Sequence, residues 1–362
     1  MQPLRYPSFF RDRPGRALLT ALLALVVACT KDSIVDSPLP SGDRLNFQTP
    51  PTNVIAGVPF GLSVEIVDVD GNRVLRNGVG INLYLNSTDP RDTLLGTVIS
   101  QTLGGQATFP SLLLKRATSN FRIVAAARGL TGISSNAFNV AVGGPAKLAF
   151  SIQPSTVIAG DKMVPPPQVV VQDAVGNLIA NDTGLVVLQV LTGTSTTPRN
   201  ATVSAVNGVA RFDSLRINAA GAAFTLSAVG PVGRNLAAAV SSVFSVTPGS
   251  AKKLVFTVPP TSNIVNTAFL TSPAVTATDS LGNIATSFTL PITLEFLFRP
   301  ATGPGASAAL SGITTVNAVG GVATFPGISI DSLCSTGNCY RLRGVSPTVP
   351  DTARSNFFLI VP

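Results

Sequence analysis

The stretch QDAVGNL, residues 172–178, places an aspartate, a glycine and an asparagine within five positions. These residue types occur in small cation sites, and they also make tight turns. The same spacing, Asp-x-x-Gly-Asn, recurs at Asp68 in VDVDGN (67–72) and at Asp279 in ATDSLGN (277–283), at separations of 105 and 106 residues. A motif that returns at a fixed interval marks a structural unit of about that length.

The strand before each motif indicates what the aspartate does. Val169 and Val171 alternate toward the interior, so Asp173 shares their direction at the end of the strand. From there its carboxylate can accept hydrogen bonds from backbone N–H groups of the turn that Gly176 and Asn177 make. We therefore predict a structural turn in all three copies, with these members: Asp68, Gly71, Asn72, Asp173, Gly176, Asn177, Asp279, Gly282 and Asn283.

A calcium loop is the competing interpretation, and it is strongest in DVDGN (68–72), which has two aspartates. An EF-type loop needs glycine at its sixth position and a bidentate carboxylate at its last. With Gly71 in sixth place, the first and last positions are Ile66 and Asn77, and neither supplies a carboxylate. No metal site is predicted in the turns, and calcium at the joints between units stays open.

Two further markers accompany the turn in the same order in every unit. An opening strand has a phenylalanine four residues before a proline, in RLNFQTPP (44–51), KLAFSIQP (147–154) and KLVFTVPP (253–260). A later strand follows Gly-Gly or Asn-Gly, in GGQATFPSL (104–112), NGVARFDSL (207–215) and GGVATFPGI (320–328). We therefore predict three tandem domains, called here repeat 1 (44–143), repeat 2 (144–248) and repeat 3 (249–362).

Within each repeat the apolar residues alternate with a period of two, as in Phe121, Ile123 and Ala125. Phe109 is followed by the next inward residue, Leu112, after three positions, which predicts a bulge or bend there. About seven short strands per repeat, separated by turn residues, predict an all-β chain of three antiparallel immunoglobulin-like β-sandwiches.

These motifs resemble a known family. The combination of V-x-A-G (54–57 and 157–160), the Asp-x-x-Gly-Asn turn, a GVAxF-like strand and a later aromatic strand resembles the bacterial Ig-like domains of invasin- and intimin-type surface proteins. The resemblance covers about 44–362 and implies an Ig-like fold in each repeat. It implies no particular activity, because such modules serve as spacers, adhesins and appendages of enzymes.

The first residues have the pattern of an export signal. Four arginines precede the apolar run ALLTALLALVV (17–27), which is too short to span a bilayer and has the length of a secretory core. The ending VVAC (26–29) resembles the lipobox of bacterial lipoproteins, which implies a lipid on Cys29. A plain signal peptide with an incidental cysteine is the alternative. We predict a lipoprotein signal peptide (1–28) and a flexible tether (29–43).

The cysteine count fits this assignment. Lipid on Cys29 would leave Cys334 and Cys339 as a pair within the segment CSTGNC. In an oxidising envelope compartment such a pair is expected to form a local disulfide. A metal site is the competing interpretation, but two thiolates without a nearby histidine make a poor one.

Composition argues against catalysis and against nucleic acid as a partner. The chain has no histidine, which is the commonest general base and metal ligand, and no Ser-x-x-Lys in a convincing setting. Loss of the leader, with its four arginines and one aspartate, changes the formal net charge from +8 to +5. The remaining basic residues are scattered and form no patch with interleaved aromatics. We predict no enzyme activity, no cofactor and no nucleic-acid partner.

The joints between repeats, VGGPAK (142–147) and TPGSAKK (247–253), are short and favour a semi-rigid rod. We expect a lipid-anchored protein of the cell envelope, at either face of the outer membrane, that acts as a spacer or an adhesin presenting its distal domain. The alternative is a module that binds a protein or glycan through loops of repeat 3, at 298–312 and 334–339. The absence of tryptophan and the inward placement of most phenylalanines disfavour glycan.

Overall fold

The computed structural model describes residues 42–193 and 196–362, so the predicted export signal, Cys29 and nearly all of the tether lie outside it. The regular structure of the described residues consists of strands, and the predicted all-β fold class is confirmed. In these two ranges no helix has the length and hydropathy of a membrane span. Residues 42–362 belong to one compact unit.

Repeat 1 has short strand segments, because bulges and loops interrupt its longer strands. They are β1 (Arg44–Thr49), β2 (Val54–Ile55), β3 (Phe60–Val67), β4 (Gly80–Leu85), β5 (Leu95–Gly96), β6 (Ile99–Gln101), β7 (Gln106–Leu113), β8 (Thr118–Phe121), β9 (Ile123–Ala127), β10 (Ile133–Ser134) and β11 (Phe138–Ala141). One sheet has the order β1-β3-β7-β5 and another β10-β9-β4-β6, while β11 pairs with both β2 and β8.

Repeat 2 is built in the same way. Its strands are β12 (Lys147–Ile152), β13 (Val157–Ile158), β14 (Gln168–Gln172), β15 (Leu185–Thr192), β16 (Thr202–Ser204), β17 (Val209–Arg211), β18 (Gly221–Val229), β19 (Ala239–Val240) and β20 (Phe244–Thr247). One sheet has the order β12-β14-β17, and the other has the order β13-β20-β18-β15-β16, with β19 beside β18.

Repeat 3 differs in one strand that joins its two sheets. The strands are β21 (Lys253–Val258), β22 (Asn263–Ile264), β23 (Ala274–Thr278), β24 (Pro291–Phe298), β25 (Leu310–Ser311), β26 (Thr315–Asn317), β27 (Val322–Thr324), β28 (Ser329–Ile330), β29 (Arg341–Ser346), β30 (Val349–Arg354) and β31 (Ile360–Val361). The strand β30 pairs with both β29 and β21, which gives the order β26-β24-β29-β30-β21-β23-β27.

The three strand orders describe one topology. The opening strand pairs with the strand that leads into the Asp-x-x-Gly-Asn turn, and that strand pairs with the one after Gly-Gly or Asn-Gly. A short strand near the start of each repeat runs parallel to its last strand, in β2 with β11, β13 with β20 and β22 with β31. Two such sheets packed face to face form an immunoglobulin-like sandwich, so the predicted fold is confirmed.

The buried apolar side chains form three clusters, and the buried members of each cluster belong to a single repeat. Phe109, Phe212 and Phe325 occupy equivalent positions and have no exposed surface. Each such side chain contributes about 1.5–3 kcal/mol through burial. The alternating pattern of the sequence therefore identifies the inner faces of the sheets.

The predicted break in alternation takes two forms. In repeat 1, Leu62 lies opposite Phe109 and Phe60 opposite Leu112, so β7 contains the expected bulge. In repeats 2 and 3, β17 and β27 end just before the phenylalanine, and a tight turn replaces the bulge. The residues that follow there, Asp-Ser and Pro-Gly, are turn formers, which explains the difference.

Candidate functional site at the repeat junctions

Asp173 follows the end of β14 and is only 1% exposed. Its Oδ1 atom accepts hydrogen bonds from the backbone N–H groups of Val175, Gly176 and Asn177, at 3.0, 2.8 and 2.8 Å. The Nδ2 atom of Asn177 donates to the other carboxylate oxygen at 2.8 Å. Gly176 has a φ of +106°, a backbone conformation that is strained for any residue with a side chain. The aspartate therefore holds a closed turn.

The other two copies make the same turn. Asp279, 2% exposed, accepts from the backbone N–H groups of Leu281 and Asn283, both at 2.9 Å. Asp68 accepts from those of Asp70 and Asn72 at 3.0 and 2.8 Å, but its side chain is only half-buried. The turn glycines, Gly71 and Gly282, again have positive φ, +88° and +90°.

The hydrogen bonds set the protonation state of these carboxylates. Burial raises the pKa of Asp173 and of Asp279, but hydrogen bonds from Asn177 or Asn283 and from backbone N–H groups outweigh burial and hold each pKa below 3.8. The backbone N–H of Asn72 is the main cause that lowers the pKa of Asp68. All three turns are therefore closed by an ionised carboxylate at neutral pH, and charge-assisted hydrogen bonds are the stronger kind.

In repeats 2 and 3 the aspartate also binds the linker that leads into its repeat. The backbone N–H of Gly143 donates to Oδ2 of Asp173 at 3.2 Å. At the next junction, the N–H of Gly249 donates to Oδ2 of Asp279 at 3.0 Å. One carboxylate therefore closes a turn with one oxygen and fixes the entering chain with the other.

The asparagine of the turn reaches into the preceding repeat. The Nδ2 atom of Asn177 donates to the carbonyl oxygen of Lys115 at 2.7 Å, and its Oδ1 atom accepts from the N–H of Ala117 at 3.0 Å. Both polar atoms of one amide are thus used on the backbone of repeat 1. Such a two-point contact fixes the orientation of the turn relative to repeat 1 as well as its distance from it.

The second junction repeats this clamp. The Nδ2 atom of Asn283 donates to the carbonyl oxygen of Asn218, and its Oδ1 atom accepts from the N–H of Ala220, both at 2.8 Å. Asn218 and Ala220 occupy in repeat 2 the places that Lys115 and Ala117 occupy in repeat 1. The same recognition is therefore used twice along the chain.

An apolar residue of the turn fills a space that only glycine leaves open. Gly57 has a φ of +77°, and a methyl group built on it would lie 2.7 Å from Cγ1 of Val175. Val175 packs against the core of repeat 1. Gly160 has a φ of +83°, and a methyl group there would lie 2.8 Å from Cδ1 of Leu281. We call the glycine position the socket and the apolar side chain the plug.

The plug and the socket are each changed once in the three repeats. Asp70 occupies the plug position of repeat 1, where its N–H bonds to Asp68 as the N–H of the plug does elsewhere. Asn266, with a φ of +57°, occupies the socket position of repeat 3. Its N–H donates to Ile330, as the N–H of Gly57 donates to Leu114. Repeat 1 therefore has an aspartate in place of the apolar plug, and repeat 3 has an asparagine in place of the socket glycine.

The socket end of repeat 3 is closed by its own loops. Tyr340 is fully buried, and its hydroxyl donates to the carbonyl oxygen of Ser332 at 2.8 Å. A methyl group on Gly305, in the loop 298–312, would overlap the tyrosine hydroxyl, at 2.5 Å. Cys334 and Cys339 form the predicted disulfide, which is confirmed. Closing this short loop stabilises repeat 3 by about 2 kcal/mol on the chain-entropy model.

Two phenylalanines of repeat 3 are exceptions to the predicted inward placement of most phenylalanines. Phe298 is 41% exposed and Phe357 is 42% exposed, and they pack against each other with ring centroids 5.3 Å apart. Phe298 lies beyond a register shift in β24, which carries its side chain off the inner face. Alternation predicts direction only within an unbroken strand.

The junction contacts were missed by the sequence patterns, although one signal was present. The glycine of V-x-A-G recurs in repeats 1 and 2 and is replaced by Asn266 in repeat 3. The plug changes in the opposite copy, at Asp70. In the part of the chain that the structure describes, no group of three or more acidic, cysteine or histidine residues is arranged to hold a metal ion.

Comparisons with known proteins find similarity at the level of solved structures. No family model matches the chain, and no curated protein matches it. FdeC, an Escherichia coli adhesin, is 18% identical, with a TM-score of 0.31 over 87% of this chain and 96% of that chain. Invasin, a bacterial integrin-binding protein, is 13% identical, with a TM-score of 0.31 over 87% of this chain and 60% of that chain.

A third similar structure comes from outside bacteria. The extracellular domains 3–5 of Drosophila OTK are 13% identical, with a TM-score of 0.28 over 90% of this chain and 99% of that chain. At these identities and TM-scores the similarities carry no argument about what the chain does. The fold assignment rests on the strand order within the three repeats.

Proposed function

We propose that the chain is a non-enzymatic, lipid-anchored protein of the cell envelope, in which three Ig-like domains form a spacer that presents repeat 3. The domains are those predicted from the repeats, at 44–143, 144–248 and 249–362. The single observation that carries the proposal is the pair of matching junctions, each built from a linker bond, an asparagine clamp and a plug in a glycine socket. A chain that only tethers its domains needs none of these contacts.

The junction chemistry suits a spacer. A short linker limits the distance between neighbouring repeats, but hydrogen bonds and packing are needed to limit their rotation relative to each other. Each junction adds charge-assisted and neutral hydrogen bonds, which contribute about 0.5–3 kcal/mol each. The plug adds an apolar contact that a residue with a Cβ at the socket would prevent. These contacts favour one orientation of neighbouring repeats over the alternatives.

The junction is tested by placing in repeat 2 the residue that repeat 3 has at its socket. In Gly160→Asn, the added side chain should displace Leu281 and free the N–H of Gly249 and of Ala220. We expect amide hydrogen exchange of these two residues to speed up by about tenfold or more, because local opening sets exchange protection. Exchange at the core strand β18 should not change.

Gly233→Asn is the matched control for this substitution. Gly233 also has a positive φ, +94°, but a methyl group there meets open space. It carries the same change of residue in the same repeat without a junction contact. If the amide of Gly249 exchanged in the Gly160→Asn variant at the same rate as in the wild type, the plug would not hold the junction. The spacer proposal would then lose its support.

The lipid anchor is tested separately. Cys29 ends the lipobox-like segment VVAC (26–29), which supports lipidation after cleavage of the signal peptide. We expect labelled palmitate to enter the full chain when it is expressed in a bacterium, and a Cys29→Ser variant to lose the label. A variant that keeps the label would remove the anchor from the proposal. Wild-type chain without label would favour a plain signal peptide.

Ligand binding through the loops of repeat 3 is the second function considered. The contacts of the loop 298–312 with the buried Tyr340 support a closing role for that loop instead. The exposed Phe298 ends β24 opposite Arg341 of β29, and the ring of Phe357 packs against it on that sheet face. A binding role for repeat 3 is therefore better sought on that face.

A further inference from the structure

The outer face of the β24, β29 and β30 strands carries three arginines. Arg341 and Arg343 alternate with the buried Leu342, so their side chains leave the sheet on the outer side. Arg354 lies directly opposite Arg343 in the antiparallel pair of β30 with β29. Like charges at directly opposed positions destabilise a sheet. The arrangement therefore lacks a purely structural advantage.

Among the described residues, a single acidic side chain pairs with these cations. Glu295 accepts a hydrogen bond from Nε of Arg343 at 2.7 Å. Arg341 uses Nε on the carbonyl oxygen of Ser355. The Arg354 side chain is exposed and has neither an ion pair nor a hydrogen bond among the described residues. The face therefore keeps unused guanidinium donors and a positive charge.

Two exposed aromatic rings adjoin the arginines. Phe298 lies opposite Arg341 in the register of β24 with β29. The guanidinium of Arg341 lies 5.6 Å from the ring centroid of Phe357, and Phe298 meets the same ring edge to face. We call Phe298, Arg341, Arg343, Arg354 and Phe357 the arginine–phenylalanine face.

Repeats 1 and 2 do not carry this face. The opposed arginines of repeat 3 correspond to Ser227 and Val240 in repeat 2, which the same register places opposite each other. The pair of Phe298 and Arg341 corresponds to Thr192 and Thr225, whose hydroxyl oxygens are 2.7 Å apart. Repeat 1 has Val124 opposite Ser134. Repeat 1 keeps an arginine at the position of Arg341, because the Arg122 guanidinium donates to the carbonyl oxygen of Ser135 as that of Arg341 does to Ser355. Neither repeat has counterparts of Arg343 and Arg354, so the fold does not require that opposed pair.

We propose that the arginine–phenylalanine face binds an acidic segment of a partner protein that also carries an aromatic or aliphatic side chain. Charge complementarity supports an acidic partner, since guanidinium groups pair bidentately with carboxylates. Arginine and aromatic residues are the types enriched at the centres of protein interfaces. One face of the Phe357 ring is covered by Arg341, which leaves less room for flat stacking of a sugar.

The inference extends the proposed function by naming the partner class of the presented repeat. It depends on that function only in requiring repeat 3 to be accessible. Binding in solution is measured without a membrane, so a failure of the lipid anchor or of the junctions leaves this test unaffected.

The test uses the full chain and a fluorescein-labelled poly(Glu,Tyr) peptide, with fluorescence anisotropy as the readout. We expect binding that weakens with added salt, because exposed charges are screened beyond about 8–10 Å at physiological ionic strength. Phe357→Ser and Arg354→Glu should each weaken binding by about tenfold or more. Poly(Glu) without tyrosine should bind more weakly than the mixed peptide.

Arg354→Glu separates binding from folding. The new carboxylate would lie opposite Arg343 and relieve the like-charge contact, so the Tm should stay the same or rise while binding falls. Arg128→Glu is the matched control, because it makes the same change of charge at an exposed arginine of repeat 1 outside the face. It should leave binding unchanged.

Several outcomes would overturn the proposal. Equal binding by the wild type and Arg354→Glu would remove the face as the site. An equal loss in Arg128→Glu would show attraction by net charge alone. Binding of alginate, a nucleic acid or phosphatidylglycerol vesicles that depends on Arg354 and Phe357, without binding of poly(Glu,Tyr), would assign the face to another class of ligand.

Discussion

Replacing Asp173 by alanine is expected to lower the free energy of unfolding of repeat 2 by about 3 kcal/mol, because backbone donors lose a charged acceptor in a buried site. The carboxylate accepts from three backbone N–H groups of its own turn and from the N–H of Gly143 in the linker. With Asp173 only 1% exposed, water has little access to replace it. Urea unfolding followed by hydrogen exchange of the strands β14 and β18 measures the loss.

Asp68→Ala is the internal control for this prediction. Asp68 closes the same turn, but its side chain is half-buried and has no linker bond among the described residues. Water can therefore replace some of the hydrogen bonds that the substitution removes, and a much smaller loss in the free energy of unfolding is expected. Equal losses in the two variants would show that the turn alone, and not the buried junction, determines the contribution.

The pH dependence gives an independent check on Asp173. Its pKa in the folded chain is lowered from 3.8, so its contribution is complete above the unfolded-state value and is lost as pH falls through the folded-state value. The stability difference between the wild type and Asp173→Ala should therefore shrink only below about pH 4. A difference that shrinks near neutral pH would implicate another group.

Gly105→Ala is expected to destabilise repeat 1 by about 3 kcal/mol, through a strained backbone and a steric overlap. Gly105 has a φ of +78°, and a methyl group there would overlap the carbonyl oxygen of Val74. The equivalent glycines, Gly208 and Gly321, meet carbonyl oxygens in the same way. The backbone segments on both sides of the overlap belong to hydrogen-bonded strands and turns. They therefore have little freedom to move apart and relieve the overlap. Urea unfolding with hydrogen exchange of β3 and β7 measures the effect.

Gly104→Asn provides the comparison in the same turn. Gly104 also has a positive φ, +58°, but a methyl group there meets open space. Repeat 2 has asparagine at this position, Asn207, with a φ of +52°. We expect a change close to zero. If Gly104→Asn destabilised repeat 1 as much as Gly105→Ala, the overlap with Val74 would not be the cause.

Much of the fold could be predicted from the sequence because the signals are local. The alternation that buries Phe121, Ile123 and Ala125 depends only on the period of an extended strand. The Asp-x-x-Gly-Asn turn closes within five residues, so its composition defines its hydrogen bonds. The pairing of Cys334 with Cys339 needs only a short loop.

The candidate sites could be predicted only in part. Asp173 was expected to serve its own turn, and the linker bond to Gly143 adds a second role that the turn pattern does not contain. The exposed pair of Phe298 and Phe357 was not predicted, because a register shift in β24 breaks the alternation just before Phe298. Arg341 and Arg343 lie two residues apart in the sequence, but only the register of β30 with β29 places Arg354 beside them.

The sequence by itself determined that this protein is an all-β chain of repeated Ig-like units, each marked by an aspartate turn. The tertiary structure decided what the turn contacts and which side chains remain exposed. Asn177 meets Lys115 and Ala117 across 62 and 60 residues, and Arg343 meets Arg354 only through strand register. The physical reason is range: hydrogen bonds within a turn follow from neighbouring residues, whereas contacts between repeats and across strands exist only after packing has set their positions.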